Sequence, residues 1–148
     1  MYKRVLVATD GSELSGRAVA AAIDLALLTG AGLVSINIAH LHVYSTFEGA
    51  MVLNQREIDS AQEEANLAAQ RLVDSVASLA AAKGVRSTQA IVVKSNQVGE
   101  SIIITAKNEQ CDLIVMASHG RRSFARLLMG SETLHVLTHS HIPVLVLR

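Results

Sequence analysis

Short apolar runs alternate with segments of helical periodicity along this chain, and this alternation constrains its fold more than any other feature. A continuous apolar run of roughly four to eight residues is typical of a strand that is buried on both faces. The predicted strands cover residues 5–8, 33–39, 88–93, 113–116 and 144–147. Strands separated by helices in this way predict a Rossmann-like α/β fold, in which a parallel sheet carries helices on both faces.

The segments between the predicted strands carry helix start and stop signals. Ser12 or Ser15 is suited to cap the first helix, and Gly30 is suited to end it. Asn96 is suited to cap the third helix. The second helix is predicted to begin near residue 55 and end at residues 83–84, and the fourth is predicted over about residues 131–139. Residues 40–54 have no clear period and are predicted to form a loop.

Charge and cysteine content exclude several classes of protein. The 13 Lys and Arg residues balance 13 Asp and Glu residues, and no stretch supplies the basic stripe that nucleic-acid binding requires. The one cysteine, Cys111, cannot form an internal disulfide, and we expect it to be a buried apolar side chain in a reducing compartment, with a disulfide between two chains as the alternative. No signal peptide is recognisable, and no apolar run approaches the roughly 18 residues of a membrane helix. We therefore expect a cytoplasmic protein without a nucleic-acid or membrane partner.

Neither a metal site nor a catalytic nucleophile is indicated by the histidines and serines. Histidines pair at positions 40 and 42 and again at 139 and 141, but neither pair has an acidic or cysteine ligand nearby in the sequence. Ser12 and Ser15 do not form the Gly-x-Ser-x-Gly pattern of a nucleophile elbow. We assign no metal ligand and no catalytic residue.

Polar and glycine residues follow two of the predicted strands. The first strand runs into Asp10-Gly11-Ser12, and the fourth runs into Ser118-His119-Gly120. Ligands of parallel α/β sheets bind outside the carboxyl ends of the strands, where the strand order reverses. The functional site is therefore expected where these two strands end.

The segment after the fourth strand has the composition of an anion site. Gly130-Ser131 opens a helix, whose N-terminal N–H groups attract anions. His119, Arg121 and Arg122 place further cations nearby. The alternative is a glycine turn followed by an ordinary helix cap, with solvated arginines. The segment is neither a P-loop nor a Gly-x-Gly-x-x-Gly dinucleotide fingerprint.

The spacing of this segment resembles that of the universal stress proteins. Their nucleotide-binding members carry Gly-x-x-Gly, nine residues and then Gly-Ser or Gly-Thr, and this chain has Gly120, nine residues and Gly130-Ser131. The resemblance extends to residues 5–13, 111–116 and 142–146 and so spans nearly the whole chain. It implies one universal stress protein domain over residues 1–148 and the strand order 3-2-1-4-5.

The resemblance further implies an adenine nucleotide, ATP or AMP, often with Mg²⁺ or Mn²⁺. Base and ribose are expected near the ends of the first two strands. The ribose and phosphates are expected along the end of the fourth strand and the start of the helix after it, and Glu132 is expected to contribute through its backbone. The β and γ phosphates are expected beside the two arginines. The implied binding residues are Ala8, Thr9, Asp10, Ile38, Met116, Ala117, His119, Gly120, Arg121, Arg122, Gly130, Ser131 and Glu132.

Two positions depart from the family pattern. Ala117 replaces the first glycine, and its methyl group is harmless if φ is negative but crowds a ligand that must approach the backbone closely. Ser123 stands where many relatives have glycine.

The resemblance implies an ATP-binding stress-response homodimer with little or slow hydrolysis, since no Walker-type lysine or evident base is present. The dimer is expected through the last strand, residues 143–147, because an apolar edge strand needs a partner. One alternative is a dimeric interaction module that binds no nucleotide and acts through a protein partner. A third, weaker reading is an ATPase or nucleotidyl transferase.

Overall fold

Strands and helices alternate along the chain from residue 4 to residue 147. A computed structural model describes residues 1–41, 55–119 and 129–148. Its elements are β1 Arg4–Ala8, α1 Glu13–Thr29, β2 Gly32–Ala39, α2 Gln55–Ala82, β3 Thr88–Lys94, α3 Val98–Asn108, β4 Leu113–Ala117, α4 Ser131–His139 and β5 Val144–Leu147. The predicted loop over residues 40–54 falls mostly on residues 42–54, which lie outside the described ranges.

All neighbouring strands run parallel in the order β3-β2-β1-β4-β5, which confirms the predicted fold class and strand order. β1 is the central strand, and its Val5 pairs with Leu33 of β2 and with Leu113 of β4. The chain builds outward from β1 to β3 on one side and from β4 to β5 on the other. The strand order therefore reverses between β1 and β4, whose carboxyl ends lie at the same edge of the sheet.

Apolar side chains alternate between the two faces of the sheet and form a core on each. On one face, Val5 and Val7 pack against α1 and α2. On the other face, Leu6 packs with Ile102 of α3 and Val136 of α4. Each central strand is therefore buried on both sides, which explains its continuous apolar sequence. Alanines at 18, 22 and 26 let α1 lie close to the sheet.

The predicted ends of α1 are confirmed. The Ser12 hydroxyl accepts a hydrogen bond from the Ser15 N–H at 3.2 Å, and Gly30 ends the helix in the left-handed conformation with φ 71°. Ser15 itself lies inside the helix. Glycine adopts the left-handed conformation without the steric cost that a Cβ brings to other residues.

The predicted cap of α3 is wrong. The N-cap residue is Gln97, while the Asn96 side-chain oxygen accepts a hydrogen bond from the Leu41 N–H at 3.0 Å. Asn96 therefore connects the segments that follow β2 and β3 and is not available to the helix.

Candidate functional site

The end of β1 is a turn fixed by internal hydrogen bonds. Thr9 is 6% exposed, and its N–H donates to the Ile36 carbonyl at 3.0 Å. Its carbonyl accepts from the Asn37 side chain at 2.7 Å, and its hydroxyl lies 3.0 Å from the Ser15 hydroxyl. Thr9 thus holds the turn in place, and its side chain points into the protein's own hydrogen-bond network.

Asp10 follows at the edge of the sheet where the strands end, which we call the carboxyl edge. One carboxylate oxygen accepts from the Ser12 N–H at 3.0 Å, and Gly11 takes a φ of 77°. This tight turn places a half-buried carboxylate beside the end of β1. A carboxylate can accept several hydrogen bonds, so Asp10 suits a ligand that presents hydroxyl or amino groups.

The end of β4 is joined directly to the start of α4. The Ser118 carbonyl accepts from the Gly130 N–H at 2.8 Å, and the Thr133 hydroxyl donates to the Ala117 carbonyl at 3.0 Å. A Cβ at Gly130 would lie 3.3 Å from the Ser118 oxygen, tighter than an ordinary contact. Glycine at 130 therefore permits this close approach of helix and strand.

The N-termini of the helices differ in how they are capped. Ser12 caps α1, and a carboxylate oxygen of Glu132 accepts from the Gly99 N–H in the first turn of α3 at 2.6 Å. α4 begins after its N-cap residue Gly130, which has no side chain with which to cap the helix. Its N–H groups and the positive end of its dipole therefore face the carboxyl edge, where an anion is stabilised.

Half-buried apolar residues line this edge on the α3/α4 face. Ala8, Ile38 and Val98 pack partly exposed against the core of that face, which includes Met116. Such a surface is suited to a flat, weakly polar ring. His119 is also half-buried, with its Nδ1 3.1 Å from the Ser118 hydroxyl.

Ala117 occupies the last position of β4 with a strand conformation. Among the described residues other than glycine, a positive φ occurs at Gln110, so φ at Ala117 is negative. The backbone condition under which a methyl group is harmless at this position is met.

The structure brings most of the predicted site residues together at the carboxyl edge. Of the thirteen, Gly120, Arg121 and Arg122 lie outside the described residues, as does Ser123. Among the described residues, no cluster of three or more His, Cys, Asp or Glu side chains is arranged to hold a metal ion. These residues alone do not define a metal site.

Sequence reasoning missed several residues that build the site. Ser118 bonds to both Leu147 and Gly130 through its backbone, and Asn37 holds the Thr9 carbonyl. Asn37 is the one amide side chain in β2, a largely apolar strand, and this was a usable signal. The bond between the Glu132 side chain and Gly99 joins residues 33 positions apart and gave no sequence signal.

Two groups with a perturbed pKa, Cys111 and Asp112, lie at the opposite, amino edge of the sheet. Burial raises the pKa of the Cys111 thiol to about 11. Burial also works to raise the pKa of Asp112, but hydrogen bonds from the Arg4 and Lys3 N–H groups outweigh it and hold that pKa below its usual value.

A doubly wound α/β protein, with its topological switch point between β1 and β4, is the class that this fold defines. The sequence profile of the universal stress protein family matches residues 1–148. The chain belongs to this family.

Curated and solved relatives agree with that assignment. The chain is 28% identical over 150 residues to universal stress protein YxiE of Bacillus subtilis, with all of both chains covered. It superposes on universal stress protein UspA of Lactobacillus plantarum with a TM-score of 0.84 at 22% identity, over 99% of this chain and 98% of the other.

Two of the similar structures hold nucleotides. A universal stress protein in complex with cAMP matches with a TM-score of 0.70 at 23% identity, over 99% of this chain and 97% of the other. The Archaeoglobus fulgidus protein in complex with dAMP matches with a TM-score of 0.64 at 17% identity, over 99% and 98%. At these identities the likeness shows a shared fold. None of the described helices is long and apolar enough to cross a membrane.

Proposed function

We propose that this chain binds an adenine nucleotide, ATP or AMP, at the carboxyl edge between β1 and β4. The observation that carries the proposal is the start of α4, whose N-cap residue Gly130 has no side chain to cap the helix and is bonded to the end of β4. An uncapped helix N-terminus at the switch point of a parallel sheet suits a phosphate group. Occupancy of the site would act as a regulatory signal in a cytoplasmic stress-response protein.

The arrangement of the edge supports one orientation of the nucleotide. The adenine ring packs against Ala8 and Ile38, and the ribose hydroxyls donate to Asp10. The phosphate accepts hydrogen bonds from the first N–H groups of α4, at Ser131 and Glu132. The cAMP and dAMP bound by the two relatives each combine an adenine with a single phosphate.

Residues outside the described ranges carry the remaining part of the prediction. Gly120 would allow close approach of the phosphates, and Arg121 with Arg122 would neutralise the β and γ phosphates. Mg²⁺ or Mn²⁺ would accompany a triphosphate. Binding of a monophosphate at α4 does not depend on a metal. We expect little or slow hydrolysis, since the sequence has no Walker-type lysine.

Thermal unfolding of nucleotide-free protein tests this function. Ligand at 100 times its dissociation constant adds about 2.7 kcal/mol to the free energy of unfolding. For a chain of this size that raises the midpoint by roughly 5–10 °C. We expect such a shift with AMP or Mg-ATP, and a smaller one with GTP at the same concentration. Equal midpoints with and without every nucleotide would favour the interaction module that binds no nucleotide.

We further propose a homodimer through β5, residues 143–147. Within the described ranges β5 pairs with β4 alone, and its Leu145 is 37% exposed. An apolar edge strand of this kind is stabilised by pairing with a second copy. Light scattering should give a dimer mass, and Leu145→Lys should shift it toward the monomer. A monomer mass for the unmodified protein at micromolar concentration would contradict the proposal.

A further inference from the structure

The N-terminus of α3 is capped by a side chain that belongs to α4. A carboxylate oxygen of Glu132 accepts a hydrogen bond from the Gly99 N–H at 2.6 Å. The N-cap residue of α3, Gln97, makes no side-chain cap bond of its own. A carboxylate at a helix N-terminus forms a charge-assisted hydrogen bond and interacts favourably with the helix dipole. Glu132 therefore supplies the cap that α3 lacks.

Gly99 lets the first turns of α3 and α4 touch. A Cβ at this position would lie 2.9 Å from Cδ2 of His135 and 3.1 Å from both the backbone and a carboxylate oxygen of Glu132. A second contact follows one residue later, where the Glu100 carboxylate lies 3.1 Å from Nε2 of His135. The two helix starts are consequently packed as one unit.

The first turn of α4 is thus held from two sides. On one side, Gly130 and Thr133 bond to the carbonyls of Ser118 and Ala117 at the end of β4. On the other side, the Glu132 side chain bonds to α3. The backbone N–H groups between these contacts are the ones that the proposed phosphate would use.

We infer that the Glu132 side chain is a positioning residue for the phosphate of the bound nucleotide. Its bond to Gly99 fixes the direction of the N–H groups of α4 relative to β1, where base and ribose lie. The same bond places the negative charge of Glu132 at the positive end of α3, so that this charge is offset. The inference rests on the proposed nucleotide site and extends it, because the sequence assigned Glu132 a backbone contact alone.

The test compares AMP with adenosine by isothermal titration calorimetry. Glu132→Ala should weaken AMP binding by about tenfold, the size expected for one lost charge-assisted hydrogen bond. Adenosine binding should change by less than about twofold, because adenosine has no phosphate to place on α4. A general loss of structure would weaken both ligands together, so the ratio of the two affinities is the informative readout.

Conservative variants separate geometry from charge. Glu132→Gln keeps an oxygen that can accept from Gly99, and it should bind AMP within about twofold of the unmodified protein. Glu132→Asp keeps the charge and suits a first helical turn but is one methylene too short, so it should resemble Glu132→Ala and still fold. Glu100→Ala is the matched control, because it removes the other carboxylate between α3 and α4; it should leave the AMP-to-adenosine ratio unchanged.

Several results would overturn the inference. One is an unchanged AMP affinity in Glu132→Ala and Glu132→Asp. Another is tighter AMP binding in both Glu132→Ala and Glu132→Gln, which would make the carboxylate a repulsive charge. A third is an equal loss of AMP and adenosine. If the unmodified protein binds neither ligand, the proposed nucleotide function itself fails, and the inference falls with it.

Discussion

The two edges of the sheet use their polar groups in opposite ways. At the amino edge, the Asp112 carboxylate accepts from the Lys3 and Arg4 N–H groups at 2.8–3.1 Å. The Arg4 guanidinium bonds to Gln89 and pairs with Glu109 at 3.2 Å. At the carboxyl edge, Asp10 sits on a tight turn and the N-cap residue of α4 has no side chain to cap the helix.

Under the proposed function, this difference separates groups that stabilise the fold from groups that also bind a ligand. At the amino edge, each carboxylate meets a donor of the protein itself, so its hydrogen bonds contribute to the free energy of folding. At the carboxyl edge, the Asp10 carboxylate also accepts from a protein donor, the Ser12 N–H, while the start of α4 is bonded to the end of the neighbouring strand β4. Substitutions at the amino edge should therefore change stability, and substitutions at the carboxyl edge should change ligand affinity.

The largest effect is expected at the amino edge, from Asp112→Ala. Loss of the hydrogen bonds to Lys3 and Arg4 should lower the free energy of unfolding by about 2 kcal/mol in urea at pH 7. Under conditions where the variant is fully folded, its AMP affinity should stay within about twofold of that of the unmodified protein. A tenfold loss of AMP affinity in folded Asp112→Ala would show that the two edges are coupled.

The effect of Asp112→Ala on the free energy of unfolding should depend on pH, and the direction of that dependence follows from the pKa of Asp112. The folded-state pKa of Asp112 lies below the 3.8 of a free aspartate side chain. Its stabilising contribution is therefore complete above that value and is lost as the pH falls through the lower, folded-state pKa. The unfolding free energies of the unmodified protein and Asp112→Ala should differ at pH 7 and converge in acid. A difference that persists undiminished at pH 2 would contradict this origin.

A smaller effect is expected at the carboxyl edge from Asp10→Asn, which should change the free energy of AMP binding. The amide oxygen can still accept from the Ser12 N–H, so the turn should persist and the variant should fold. The lost charge should weaken AMP binding by about tenfold, near 1.4 kcal/mol, in a calorimetric titration. Asp24→Asn, an exposed position on α1, is the matched control and should bind as the unmodified protein does.

The smallest effect is expected from Ala117→Gly, which restores the glycine of the family pattern. Glycine in a strand should lower the free energy of unfolding by roughly 0.5–1 kcal/mol. Because φ at Ala117 is already negative, AMP affinity should change by less than about twofold. A tenfold gain in affinity would instead show that the alanine methyl group crowds the ligand.

The sheet could be predicted from the sequence because its cause is local. Each central strand is buried on both faces, and a continuous apolar run in the sequence is therefore enough to predict it. Ser12 and Gly30, at the two ends of α1, act within one helical turn of their own position. The strand order came from the family resemblance. It was not readable from the runs themselves.

The details of the site depend on contacts between distant residues. The sequence predicted Asn96 as the cap of α3, and the hydrogen bond from the Leu41 N–H that occupies the Asn96 side chain spans 55 positions. The capping of α3 by Glu132 could not be predicted for the same reason. The roles of Gly120, Arg121 and Arg122 remain predictions.

The rate at which the buried thiol of Cys111 is alkylated reports how often the amino edge of the sheet opens. Thiolate is the form that reacts with alkylating reagents. Cys111 is 5% exposed, and with a pKa of about 11 roughly one thiol in a thousand is ionised at pH 8. Its alkylation in native buffer therefore follows the opening of the sheet's amino edge. A second cysteine introduced on the surface could then carry a fluorophore without competition from the native thiol.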